Sequence, residues 1–146
     1  MKADFSKELK RYNYLYSETD AAYHEAAFKL GLPDSSMLVL YAICSCGDSC
    51  LLRDICRSSG ISKQTINSAL RRLEADEIVY LKNAGGKNKT VCLTEKGKKL
   101  AEQTAGKIIE MENAIFSSWT KEEVDQYLEL TERYLHDFRE RLRHLP

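Results

Sequence analysis

Proline is nearly missing from this 146-residue chain, which has two, and no run of apolar residues is long enough to cross a membrane as a single helix. The first shortage leaves long helices uninterrupted. The start, Met1-Lys2-Ala3-Asp4-Phe5-Ser6-Lys7-Glu8, lacks the apolar segment of a secretion leader, so a cytoplasmic protein is expected. The five cysteines are an odd number. Cys44, Cys46, Cys50 and Cys56 crowd together while Cys92 stands alone, which is not a secreted disulfide framework. There is no net charge either, 22 basic residues facing 22 acidic ones, so the whole molecule has no bulk attraction for a polyanion. Phosphate-cradling glycine loops, metal-protease motifs and nucleophile elbows are all missing. No catalytic residue, cofactor or enzyme activity is expected. No metal site is expected either: Cys44 and Cys46, if helical, point roughly 200° apart, and His24, His136 and His144 have no ligand spacing to the cluster.

What is present is a helix-rich composition, 43% hydrophobic and 30% charged, enough to build a core in one unit over 1–146. The charge is distributed unevenly. Residues 53–99 hold 11 Lys and Arg against 5 Asp and Glu, while both flanking regions are acidic on balance. Phe5, Leu9, Tyr12, Tyr16, Thr19, Tyr23, Ala26 and Leu30 recur at spacings of three and four, forming one stripe along a long helix that Gly31 ends. Met37, Leu38, Leu40, Tyr41, Ile43 and Cys44 are apolar on most faces of a second, central helix closing near Gly47.

The stretch from Leu51 to Leu73 decides the reading. Leu52, Ile55 and Cys56 share one face of a short helix and Gly60 breaks it. Ser62 caps another, with Ile66, Ala69, Leu70 and Leu73 turned inward. This is a helix-turn-helix pattern. Residues 78–82 and 90–93 read as two strands joined by a basic loop over 83–89, a two-stranded β wing. Thr94 caps a further helix through Leu100, Ala101, Ile108, Met111, Ile115 and Phe116, in which Gly97 and Gly106 read as weak points. Thr120 and Glu123 form a capping box opening a last helix with Val124, Tyr127, Leu128, Thr131, Tyr134, Leu135, Phe138, Leu142 and Leu145. The expected fold is mainly α, a winged helix-turn-helix lobe over 34–94 flanked by dimerisation helices over 1–31 and 95–146.

A helix of this kind fits the major groove, and a basic hairpin reaches the neighbouring backbone or minor groove. The outward residues of the second helix are polar or positive. Lys63, Gln64, Thr65, Asn67 and Ser68 are the candidate base readers, with Gln64, Asn67 and Lys63 foremost because Gln and Asn pair with adenine and Lys with guanine. Arg53, Arg57, Arg71, Arg72, Lys82, Lys87 and Lys89 are the candidate phosphate and wing contacts. The alternative is a winged-helix protein-interaction module whose charges are only solvated.

Gly31-Leu32 before the second helix, Ser62-Lys63-Gln64-Thr65-Ile66-Asn67 opening the recognition helix, Leu73-Glu74 near its end and Leu93-Thr94-Glu95-Lys96-Gly97 after the wing resemble the MarR (multiple antibiotic resistance regulator) family. The resemblance spans almost the whole chain. It implies a homodimer with interlocked first and last helices, an inverted-repeat site on duplex DNA, and repression relieved by a small-molecule inducer or an oxidant. It also implies a ligand cleft where the first helix meets the DNA-binding lobe, for which Tyr12, Tyr14, Tyr16 and Tyr23 are the candidates. By stripe position Tyr12, Tyr16 and Tyr23 belong to dimer packing, and Tyr14 lies off the stripe. Two departures from the family stand out. Gly85 and Lys87 occupy the wing places of an aspartate and the arginine it orients, and Glu77 replaces a glycine commonly found at the end of the recognition helix. Cys44 and Cys56 read as small core residues, Cys46 and Cys50 as exposed thiols and candidate redox residues.

Overall fold

The computed structural model describes residues 3–146; Met1 and Lys2, the first residues of the segment read for a leader, lie outside the described residues. Helix α1 spans Lys7–Lys29 because Ser6 Oγ accepts from the Leu9 N–H at 3.0 Å, fixing its start. Its end is a Schellman cap: Gly31 sits at φ +81°, its N–H donates to Phe28 and that of Leu32 to Ala27. Helix α2, Asp34–Cys46, is the central buried one, with Val39, Leu40 and Ile43 fully enclosed. At the α1–α2 corner His24 Nδ1 lies 2.5 Å from Asp34 Oδ2, with Asp20 Oδ2 3.4 Å from Nε2. The hydrogen bond to Asp34 raises the His24 pKa above its ordinary value.

After Gly47 the chain forms β1 (Ser49–Leu51), α3 (Leu52–Ser59) and α4 (Lys63–Ala75), then β2 (Val79–Asn83), β3 (Lys89–Leu93) and α5 (Glu95–Gln103). The sheet is antiparallel in the order β1-β3-β2, with Cys50 opposite Val91 and Leu81 opposite Val91 from the other side. Three residues are too few to display an alternating pattern, so β1 adds a strand to the two read from the sequence. Ile55, Ile66, Val79 and Val91 converge with α2 in one core.

The recognition helix α4 also ends in a Schellman cap. Glu77 donates to Glu74 at 3.0 Å and Ile78 to Leu73 at 2.9 Å, which puts Glu77 at φ +58° in the place glycine favours. Among the described residues it is the only non-glycine with positive φ. Left-handed backbone costs an ordinary residue about 1–2 kcal/mol, of which glycine's greater unfolded-state entropy would give back part. Glu77→Gly is therefore expected to stabilise the protein by about 0.5–1 kcal/mol, read from the urea unfolding midpoint. A lower midpoint would mean that the glutamate side chain outweighs the backbone relief.

The helix expected to follow Thr94 is in fact two. Thr104, at φ −124° and ψ −91°, turns its hydroxyl back to the Leu100 carbonyl at 2.7 Å, and α6 (Ala105–Ser118) starts again after it. The chain divides into two compact units, 1–109 and 110–146, with the boundary inside α6. In the second unit Thr120 and Glu123 complete the capping box that opens α7 (Lys121–Leu142). Trp119 packs edge-on to Phe116 and to Tyr127, with both centroid separations 5.5 Å. No residue of α7 is buried within the chain. Among the described residues no single helix is long and apolar enough to cross a membrane.

Candidate nucleic-acid interface

Helix α4 is held by its inward face and offers its outward one. Ile66, Ala69, Leu70 and Leu73 are buried. At about 100° per residue, Gln64, Ser68 and Arg71 then lie on the opposite side, exposed. The cap at the helix start is firm: Ser62 Oγ accepts from the Thr65 N–H at 3.1 Å and meets the Thr65 hydroxyl at 2.8 Å. Thr65 therefore has its hydroxyl engaged at the cap, unlike a side chain fully available to a base.

Lys63 and Asn67, one turn apart, flank this outward face on the side of the wing. They line an open cleft of about 500 Å³ together with Arg53 of α3 and Lys87, Asn88 and Lys89 of the wing, floored by Leu51, Leu52 and Cys56. Four cations from three separate stretches thus converge on one recess with two side-chain amides. Such an arrangement favours a polyanion that also offers hydrogen-bonding edges. The cleft exists because the wing tip folds tightly. Gly85 and Gly86 have φ of +103° and +59°, Ala84 donates to Asn88 and Asn88 to Gly85, both at 3.1 Å, and Lys87 and Asn88 face the helix as a result. An aspartate in place of Gly85 would be strained at that φ, which accounts physically for one of the two departures read from the sequence.

Of the residues picked from sequence as DNA contacts, Arg53, Lys63, Asn67, Lys87 and Lys89 meet around the cleft. Gln64, Ser68, Arg57, Arg71, Arg72 and Lys82 are exposed on α3, α4 and β2 outside its lining. Asn88 was missed. The signal was its place between two lysines in the loop, but only the tip geometry turns it inward.

The four tyrosines all sit exposed on α1, Tyr12 and Tyr16 with ring centroids 6.3 Å apart and Tyr14 on the far side of the helix. The cysteines need a correction. Cys46 is exposed as expected, but Cys50 is 5% exposed, because the exposed-buried alternation of β1 turns its middle residue into the core. Burial pushes the Cys50 thiol up to about 12, helped by a hydrogen bond to Cys46. Cys44 and Cys56 are half-buried and Cys92 is buried. Among the described residues no group of three or more His, Cys, Asp and Glu is placed to hold a metal.

Residues 30–87, from the end of α1 to the wing tip, match the MarR family. No curated protein matches the chain in sequence. Solved structures match over nearly all of it. The MepR–DNA complex of Staphylococcus aureus is 20% identical, covering 92% of this chain and 99% of its own, with a TM-score of 0.67. BpsR of Bordetella bronchiseptica, whose DNA binding 6-hydroxynicotinic acid regulates, is 21% identical over 85% of this chain and 98% of its own, at 0.60. NadR in complex with 4-hydroxyphenylacetate is 15% identical over 92% and 96%, at 0.69. At such identities the likeness establishes the shared fold.

Proposed function

We propose that this chain, whose residues 30–87 match the MarR family, is a sequence-specific duplex-DNA-binding transcription regulator that works in the cytoplasm as a homodimeric repressor. The observation that carries this reading is the cleft in which Arg53, Lys63, Lys87 and Lys89 surround Asn67 and Asn88. Lys63, Gln64, Asn67 and Ser68 enter the major groove and read base edges, while Arg53, Arg57, Arg71, Arg72, Lys82, Lys87 and Lys89 neutralise phosphates. A solvated protein-interaction surface would not require cations from α3, α4 and the wing to converge.

Dimerisation supplies the second half of the proposal. Leu9, Tyr12, Tyr16 and Tyr23 on α1 and Tyr127, Leu128, Tyr134, Leu135, Phe138 and Leu142 on α7 are all exposed in the single chain. Apolar surface of that extent calls for a partner, and a second copy gives two lobes related by a two-fold axis. A small aromatic acid or similar inducer is proposed beside Tyr14, which lies off the dimer stripe of α1, supported by the ligands named for NadR and BpsR.

Selection from a pool of random duplexes should enrich an inverted repeat with half-sites about one helical turn apart. Leu135→Glu with Phe138→Glu should abolish both the dimer in light scattering and the preference for the repeat. A folded monomer of the unmodified protein, or enrichment of no sequence, would contradict the reading.

A further inference from the structure

Among the residues around the cleft, Asn88 differs from its neighbours in how it is held. It is the last loop residue before β3, and both of its main-chain groups are spent inside the wing tip: its carbonyl accepts from the Ala84 N–H and its N–H donates to the Gly85 carbonyl, each at 3.1 Å. The next pair along, Asn83 opposite Lys89, ties the base of the loop into the sheet. The backbone of Asn88 is therefore fixed. Its exposed side-chain amide engages no other residue and lines the wing side of the cleft, while Asn67 lines it from α4. Lys87, one place earlier, follows two glycines of positive φ and carries its charge at the end of a long flexible stem. An amide on a fixed backbone can discriminate between edges; a mobile ammonium follows phosphate.

We infer that Asn88 is a base reader of the wing that selects a G·C pair in the minor groove beside each half-site, an inference that rests on the DNA-binding reading above. With α4 in the major groove, the sugar–phosphate strand that separates the grooves runs along the cleft, and the wing side of the cleft stands at the edge of the minor groove. A·T and T·A pairs present only acceptors there, whereas a G·C pair adds the guanine amino donor. The cations of the cleft, Arg53, Lys63, Lys87 and Lys89, have donors alone and so cannot accept from that amino group. Asparagine has both kinds of group. Its Oδ1 accepts from guanine N2 while its Nδ2 donates to guanine N3, and at an A·T pair the first of these bonds is lost. The wing thus adds sequence information outside the stretch that α4 reads, of a kind the surrounding charges cannot supply.

The test uses the full chain and the duplex obtained by selection, in which a guanine should be fixed in the minor-groove segment beside each half-site. Replacing that guanine by inosine removes only the 2-amino group and leaves the major-groove edge intact. Affinity of the unmodified protein, followed by anisotropy, should fall about tenfold. An A·T pair at the same place should bind as weakly, and 2,6-diaminopurine in place of that adenine, which restores the amino group, should recover the loss. Asn88→Ala, which keeps both main-chain bonds of the tip, should bind the guanine and inosine duplexes equally. Lys87→Ala should keep the difference between them. Guanine and inosine duplexes bound equally by the unmodified protein, a difference that survives in Asn88→Ala, or an Asn88→Ala variant that loses affinity for every duplex alike would overturn the inference while leaving the DNA-binding reading intact. Unmodified protein that binds no duplex at low salt would overturn both.

Discussion

Gly97→Ala is expected to destabilise the protein by about 3 kcal/mol, lowering the thermal midpoint by roughly 10 °C. The reason is a clash with backbone. A Cβ at position 97 would stand 2.0 Å from the Ile78 carbonyl oxygen and 3.0 Å from its carbon. That carbonyl already accepts the Thr94 N–H at 3.0 Å and lies 3.1 Å from the Thr94 hydroxyl, which in turn accepts the Gly97 N–H at 2.9 Å. The start of α5 is thus seated on the residue that follows the recognition-helix cap. Neither partner can move without disturbing α4 or β2. Gly106→Ala makes the comparison: its Cβ would meet the Ala101 carbonyl oxygen at 3.1 Å, a squeeze that the better helix propensity of alanine, about 1 kcal/mol, largely offsets. Equal losses in the two variants would show that the clash at Gly97 is relieved elsewhere.

Those glycines mark where local sequence patterns stop being informative. Periodicity and capping residues revealed the stripe of α1, the buried α2, the helix-turn-helix and the capping box at Thr120, because each is a local pattern within one element. Gly97 read as a weak point in a helix, when its requirement comes from Ile78, nineteen places earlier in the chain. The same kind of non-local cause hid β1, whose three residues are strand only because β3 pairs with them. It also turned Cys50 inward, because β1 lies on the core side of that pairing. Among the candidate DNA-binding residues, types were legible but grouping was not. Nothing in the sequence says that Lys87 shares a recess with Lys63 while Arg57 does not; the positive φ of Gly85 and Gly86 decides that. Glu77 is the opposite case, a departure from a family pattern that correctly located a strained position.

The second large effect concerns DNA and separates base reading from charge. Asn67→Ala and Gln64→Ala are each expected to weaken binding to the selected site by about 1–3 kcal/mol and to leave scrambled DNA much less affected. Lys87→Ala should weaken both DNAs alike, because a lysine on a flexible stem at the wing tip acts as a point charge on phosphate. Removing one lysine–phosphate pair flattens the dependence of log affinity on log salt by about 0.9, and in a dimer the substitution removes two such pairs together. Asn67 is the more telling of the two readers. It alone lies inside the cleft with the cations.

The central claim is that the outward face of α4 and the wing-side cleft form one duplex-reading surface. Its most direct test is an anisotropy titration of the unmodified protein, Asn67→Ala and Lys87→Ala against selected and scrambled duplexes over a range of salt. The account predicts steep salt dependence for the unmodified protein, loss of discrimination without a slope change for Asn67→Ala, and a flatter slope with discrimination kept for Lys87→Ala. No binding of the unmodified protein to either duplex at low salt, or a Lys87 variant that alone alters base preference, would contradict it.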